Sequence, residues 1–204
     1  MFYHTPYWLR LLGGKGLHWE IPGAGNDLYL SFDDGPDPDT TPIILDILDR
    51  YKVKATFFCV GENVERYPEI FAGIKGKGHA VGNHTYNHLK GWETSTKTYL
   101  ENVEKCSRVV ESKLFRPPYG KMKHSQRRVL KDNYKIIMWS VLSRDYDARV
   151  RKETCLKKSL KYTKPGAIIV FHDHKKSIEK VKWVLPKYLK QTLEKGNRYE
   201  ILQF

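Results

Sequence analysis

Several short clusters of polar residues in this chain have the types and spacing needed for metal-assisted hydrolysis. Asp33 and Asp34 stand together in Ser-Phe-Asp-Asp-Gly-Pro. One carboxylate of such a pair can bind a cation while the other accepts a proton from water. Successive strand residues point to opposite faces, so the two share a pocket only if the backbone bends, as Gly35-Pro36 allows. His84 and His88 form a His-x-x-x-His pair in His-Thr-Tyr-Asn-His. On a helical turn both imidazoles would face one cation, and imidazole with carboxylate suits Zn²⁺ and its divalent neighbours. Arg116-Pro-Pro-Tyr-Gly is a stiff turn. Its arginine can clamp a carboxylate through two parallel hydrogen bonds, and the Tyr119 backbone N–H is free to donate. Asp145 follows Trp139, and His172-Asp173 follows an apolar run. An aspartate held against a histidine sets its tautomer and raises its proton affinity. Taken singly, each cluster also reads as an acidic turn, a surface histidine pair or a rigid loop.

The elements between these clusters alternate in type. Strand patterns are read at Leu28–Phe32, Ala55–Val60, His79–Val81, Lys113–Arg116, Ile136–Trp139, Ala167–Phe171 and Tyr199–Leu202. Between them, apolar residues recur at helical spacing. Thr41 is expected to cap a helix with Pro42 at its first position. Val64 to Ile74 reads as one helix closed by Gly76 and Gly78, Tyr99 to Val110 as another, and Pro186 is expected to open the last, which stops near Gly196. Such alternation implies an α/β fold with a mostly parallel sheet and helices outside. About seven parallel strands are too few for a regular eight-unit barrel and suit a distorted (β/α) barrel, whose chemistry lies at the C-terminal strand ends. Each polar cluster falls at such an end. One domain over 27–204 is expected, with residues 1–26 an N-terminal extension packed on the barrel.

The bulk composition narrows the partners. With 204 residues, 40% hydrophobic and 29% charged, the chain can bury a substantial core. The formal charge of +13 suits an anionic partner such as an acidic polymer, or a lysine-rich solvated surface. No nucleic-acid-binding motif accompanies it, so no nucleic-acid partner is expected. Three widely spaced cysteines, Cys59, Cys106 and Cys155, form neither a metal knuckle nor a disulfide framework. No run approaches a membrane span, and the first residues lack the pattern of an export signal. A cytoplasmic location is therefore the default expectation, with envelope association as the alternative. Nothing in the sequence speaks to oligomeric state.

In order and spacing these motifs resemble the polysaccharide deacetylases, the NodB homology domain of carbohydrate esterase family 4, over roughly residues 27–204. The resemblance implies a distorted barrel that removes N-acetyl groups from N-acetylglucosamine-containing glycans, such as peptidoglycan or chitin-like oligomers. It implies a divalent metal, zinc first with Co, Mn or Ni as alternatives, held by Asp34, His84 and His88. Asp33 would be the general base, oriented by Arg116. Tyr119 would donate its backbone N–H to the oxyanion, and His172, tuned by Asp145, would protonate the leaving amine. Trp139, Tyr146 and Val170 would line the acetyl pocket. The chain departs from the family pattern at Ser140 and Leu142, where acidic residues are common, and at Tyr146, where Trp is common. Two other readings are a hydrolase of a non-sugar or cyclic amide or an O-acetyl ester, and a non-enzymatic basic polymer binder.

Overall fold

A computed structural model of the chain describes residues 3–6 and 16–204. The strands among the described residues are β1 (Leu17–His18), β2 (Asp27–Asp33), β3 (Thr56–Cys59), β4 (Ala80–Asn83), β5 (Leu114–Phe115), β6 (Lys135–Ile137), β7 (Val141–Leu142), β8 (Ile168–His172) and β9 (Arg198–Tyr199). The helices are α1 (Thr41–Tyr51), α2 (Gly61–Arg66), α3 (Pro68–Gly76), α4 (Thr96–Ser107), α5 (His124–Asn133), α6 (Lys152–Tyr162) and α7 (Ile178–Glu194).

Every pairing between these strands is parallel. The order is β1-β6-β5-β4-β3-β2-β8-β7, with β9 added to the first residues of β2. Among the described residues no pairing joins β1 to β7, and the curled sheet they form is a partial barrel rather than a closed one. The distorted α/β barrel expected from the sequence is the fold observed. The strand count exceeds the expected seven by β1 and β7, of two residues each.

The two faces of the sheet bury different cores. Leu28, Leu30 and Phe32 on one face of β2 pack with Phe57, Ile44, Leu48, Val184, Leu185 and Tyr188 beneath the helices. On the other face, Phe58, Leu114, Ile137, Ile168 and Leu202 fill the barrel interior. Tyr29, Ser31 and Asp33 alternate onto this inner face, so β2 carries a carboxylate up from the apolar plug to the rim.

Several local expectations are corrected. Thr40, not Thr41, takes the N-cap position of α1; Thr41 is inside the helix, and its hydroxyl donates to Asp173. The single helix expected from Val64 to Ile74 is two, α2 and α3, split at Tyr67 by Pro68, which cannot donate an N–H to the preceding turn. Pro186 lies inside α7 rather than at its start. An interior proline costs about 3 kcal/mol, but Val181, Val184, Leu185, Tyr188 and Leu189 form one buried face on both sides of it. Packing therefore outweighs the local preference. The last strand is Arg198–Tyr199; Leu202 lies beyond it as an interior plug residue, its N–H bonded to Thr56 Oγ1 at 3.0 Å. The cysteines are all buried and free. Among the described residues no helix is long and apolar enough to cross a membrane.

Candidate active site

The polar clusters meet in a cleft of about 730 Å³ at the C-terminal ends of the strands, lined by Asp33, Asp34, His84, His88, Tyr119, Trp139, Tyr146 and His172 among others. A second cleft of about 750 Å³, beside α4 and α5, is lined by no aspartate or histidine.

The two aspartates diverge at the end of β2. Asp33 faces the barrel interior and is 4% exposed. The chain turns at Asp34 itself, whose φ is 89°, a conformation non-glycine residues seldom adopt. Three contacts hold this turn: Asn63 Nδ2 donates to the Asp34 carbonyl at 2.8 Å, the Asp173 N–H donates to the Asp33 carbonyl at 3.0 Å, and the Gly35 N–H donates to Asp173 Oδ1 at 2.9 Å. A Cβ on Gly35 would lie 1.9 Å from Asp173 Oδ2, so only glycine fits. Burial pushes the Asp173 carboxyl well above its usual range, against the donors from Thr41 and Gly35. Asp173 therefore ties the end of β8 to the turn after β2.

The histidine pair is not helical. The segment after β4 has no helical hydrogen bonding, and Thr85 and His88 have φ of 65° and 57°. Asn83 Oδ1 accepts from the Thr85 N–H at 2.9 Å, and Thr85 Oγ1 accepts from the Leu89 N–H at 3.1 Å. These side-chain bonds replace the helix expected from i, i+4 spacing. The loop still brings the rings together, with centroids 5.1 Å apart. His84 Nε2 and His88 Nε2 lie 3.5 and 3.1 Å from Asp34 Oδ1. Burial alone would raise the Asp34 pKa, but the histidines around it, His84 and His88 foremost, hold it well below the carboxylate range.

This trio fits a metal by the chemistry of its donors. One atom from each residue lies within 4.8 Å of the other two. The His84 Nδ1 is 2.8 Å from the Arg116 carbonyl oxygen. A carbonyl only accepts, so in the neutral ring Nδ1 carries the proton and Nε2 turns a lone pair toward the carboxylate. A lone pair facing a carboxylate is unfavourable unless a proton or a cation lies between them.

Arg116 is fully buried at the centre of the barrel. Its Nη1 bonds Asp33 Oδ1 at 2.5 Å and Ser31 Oγ at 2.8 Å, its Nε the Ile137 carbonyl at 3.2 Å, and its Nη2 the Met138 carbonyl at 3.1 Å. Its guanidinium lies 4.0 Å over the Phe58 ring. The two-pronged clamp on one carboxylate is not formed. The fork instead spreads over four acceptors, which leaves Asp33 Oδ2 free of the arginine.

On the far side, His172 Nδ1 meets Asp145 Oδ1 at 2.8 Å, and Asp145 Oδ2 accepts from the His172 backbone N–H at 2.8 Å. Ser143 Oγ donates to the same carboxylate at 2.8 Å. Burial opposes a charge on His172, but Asp145 outweighs it and lifts the pKa to about 9. Tyr146 stands edge-on to this imidazole at 4.7 Å. Burial raises the pKa of its hydroxyl to about 12.

Tyr119, with φ of 60°, turns its side chain outward at 48% exposure. Its backbone N–H finds no acceptor among the described residues. Gly120 must be glycine, because a Cβ there would lie 2.5 Å from the Trp139 ring. Trp139 lines the cleft as expected, and Val170 does not. Val170 is wholly buried on the face of β8 that carries His172, one pair of residues deeper, and Leu142 of the adjoining β7 lines the cleft instead. Ser140, the other departure in that segment, serves the sheet: its Oγ accepts from the Ile168 N–H at 3.2 Å. Sequence reasoning missed His174, whose Nε2 is 3.3 Å from Asp34 Oδ2. Its signal was the His172-Asp173-His174 run at a strand end.

Comparison with known proteins agrees with this arrangement. The family model described as polysaccharide deacetylase matches residues 21–135. The chain is similar to a peptidoglycan-N-acetylglucosamine deacetylase of Bacillus cereus, 35% identical over 191 residues, covering 89% of this chain and 88% of that protein. It is also similar to a chitooligosaccharide deacetylase of Azorhizobium caulinodans, 32% identical, covering 72% and 74% of the two chains. For some other curated relatives, among them a second Bacillus cereus peptidoglycan-N-acetylglucosamine deacetylase, the matched stretch is 55% of their length or less. Among solved structures, the Bc1960 peptidoglycan N-acetylglucosamine deacetylase, in complex with 4-naphthalen-1-yl-N-oxidanyl-benzamide, superposes with a TM-score of 0.88 at 32% identity, over 97% of this chain and 95% of that one. With the fold, the extent of the family match and these identities in agreement, the chain belongs to the polysaccharide deacetylase family, the NodB homology domain of carbohydrate esterase family 4.

Proposed function

We propose that this chain is a metal-dependent hydrolase that removes N-acetyl groups from N-acetylglucosamine-containing glycans, peptidoglycan or chitin-like oligomers. One observation carries the reading: the Asp34, His84 and His88 donor set lies in one cleft with an arginine-held carboxylate, Asp33, and a carboxylate-backed imidazole, His172. The relatives named as peptidoglycan and chitooligosaccharide deacetylases support the substrate class.

Asp34, His84 and His88 would hold the cation, and an oxygen-nitrogen donor set of this kind suits Zn²⁺, with Co²⁺, Mn²⁺ or Ni²⁺ as substitutes. When bound, it would polarise the acetyl carbonyl and bring the pKa of water down to about 7. Asp33 takes the proton from the attacking water. Arg116 aims that carboxylate through Oδ1, while Oδ2 remains open to the water. As the carbonyl carbon becomes tetrahedral, its oxygen gains negative charge, and the Tyr119 N–H is the donor placed to meet it. His172, protonated at neutral pH, gives its proton to the amide nitrogen. The C–N bond then breaks to leave acetate and a free amine. Trp139, Leu142 and Tyr146 enclose the acetyl methyl. Lys175 and Lys176 at the rim, with the chain's net charge of +13, favour a glycan that carries carboxylates, and an envelope location follows from such a substrate. Residues 27–204 would form the catalytic domain, with 1–26 an extension that contributes β1.

The test is acetate release from N-acetylglucosamine oligomers, peptidoglycan fragments, and a panel of non-sugar, cyclic-amide and O-acetyl compounds, with and without chelator and added Zn²⁺ or Co²⁺. Release from the glycans that chelator abolishes, and that Asp34→Asn loses, is the expected result. Preference for the non-sugar compounds, or wild-type turnover by Asp34→Asn, would overturn the reading.

A further inference from the structure

Two imidazoles face Asp34 with opposite proton placements. His84 has its Nδ1 against the Arg116 carbonyl, which only accepts, so its Nε2 presents a lone pair to Oδ1. His174 is reversed. The Lys176 backbone N–H, which only donates, points at His174 Nδ1 from 3.1 Å, with Ser177 Oγ at 3.4 Å from the same atom. Nδ1 therefore holds the lone pair, and in the neutral ring Nε2 carries the proton. His174 Nε2 lies 3.3 Å from Asp34 Oδ2, whereas His84 and His88 approach Oδ1.

We propose that His174 is a positioning residue for the metal site: it donates from Nε2 to Asp34 Oδ2, occupies that oxygen, and so restricts Asp34 to binding the cation through Oδ1 alone. It is not a fourth ligand, because its Nε2 lone pair is taken by the proton and its Nδ1 faces its own backbone. The inference rests on the metal site argued above and adds a residue that the sequence motifs did not bring into it.

Its location supports the role. His172, Asp173 and His174 leave β8 in sequence, and each binds a different part of the site. His172 pairs with Asp145, Asp173 holds the Gly35 N–H and the Thr41 hydroxyl, and His174 reaches the Asp34 carboxylate. A donor behind a ligating carboxylate fixes its orientation. Loss of such a partner typically lowers metal affinity about 10- to 100-fold.

The experiment measures zinc affinity of the full chain by competition with a chromophoric chelator, in wild type and in His174→Ala, His174→Gln and His174→Asn. A glutamine amide nitrogen reaches the place of the imidazole Nε2, whereas an asparagine amide reaches only that of Nδ1. Ala and Asn are expected to weaken zinc binding about 10- to 100-fold, with Gln recovering most of the loss. X-ray absorption of zinc-loaded wild type is expected to count two imidazoles per zinc, and this measurement stands even where a variant does not fold. Three imidazoles per zinc, or equal zinc affinity in a folded His174→Ala protein, would overturn the proposal. If wild type itself takes up no zinc, the metal-site reading fails; if it binds one zinc and His174→Ala binds it equally tightly, only the role of His174 fails.

Discussion

Asp145→Asn isolates the interaction that makes His172 an acid. The change keeps the side-chain shape and leaves one amide oxygen to accept from the His172 backbone N–H, as Oδ2 does now, while an amide NH2 replaces the Oδ1 that accepts from Ser143. It removes the charge 2.8 Å from Nδ1. In wild type the His172 pKa stands at about 9 against an ordinary 6.5, although burial pulls the other way. At 1.36 kcal/mol per unit, that difference favours the imidazolium by about 3 kcal/mol. The sign follows from a folded pKa above the unfolded one. The stabilisation is fully present below about pH 6.5 and disappears as pH rises through about 9. Asp145→Asn should therefore destabilise the protein most below pH 6.5 and least above pH 9. It should also move the alkaline limb of the pH–rate profile for acetate release toward neutrality, since the proton donor is lost at lower pH. Urea unfolding across pH, the pH dependence of kcat, and an NMR titration of the His172 ring read the same quantity in three ways. An alkaline limb and a ring titration unmoved by the substitution would refute the assignment of His172 as acid and of Asp145 as its support.

Further outcomes follow from individual contacts. Arg116→Met leaves Asp33 and the Ile137 and Met138 carbonyls buried without their donor, and should lower the unfolding free energy by about 3–5 kcal/mol in urea titrations; Arg116→Lys should restore little of it, because one ammonium cannot meet four spread acceptors. Unchanged stability in Arg116→Met would contradict the proposed anchoring. Gly35→Ala places a methyl against the buried Asp173 carboxylate; about 1–3 kcal/mol of stability and part of the zinc affinity should be lost together, and intact zinc binding would show that the turn does not position Asp34. Tyr119→Gly keeps the backbone N–H and the positive φ while removing a half-exposed ring. It should turn over substrate nearly as well as wild type, whereas a loss near 10²-fold, the usual effect of removing an oxyanion donor, would assign the role to the side chain.

The alternation of apolar runs with helical spacing was enough to read a parallel sheet wrapped by helices, because burial on both faces leaves its mark on every strand long enough to have a period. β2 and β8 were legible for that reason; β1 and β7, two residues each, were not, although β5 and β9 of the same length were read from the apolar runs around them. The split of one expected helix at Tyr67 and the passage of α7 through Pro186 show the two ways that proline reads. At Pro68 no buried face spans the break, and the helix stops; at Pro186 one does, and it continues.

The residue types at the strand ends were likewise in the sequence, since carboxylates, imidazoles and a guanidinium announce their chemistry wherever they stand. Which atom meets which partner was not. The His84–His88 geometry arises from two residues of positive φ and a set of side-chain hydrogen bonds, not from a helix. Arg116 spreads its donors over the barrel interior, and Leu142 reaches the cleft in place of Val170 because strand register sets the depth of each side chain. His174 joins Asp34 only because Asp173 binds the end of β8 to the turn after β2. A local pattern records what a residue can do and which face it occupies. Contacts between segments distant in the chain depend on dihedrals and register set by the whole fold, and those the tertiary structure alone decided.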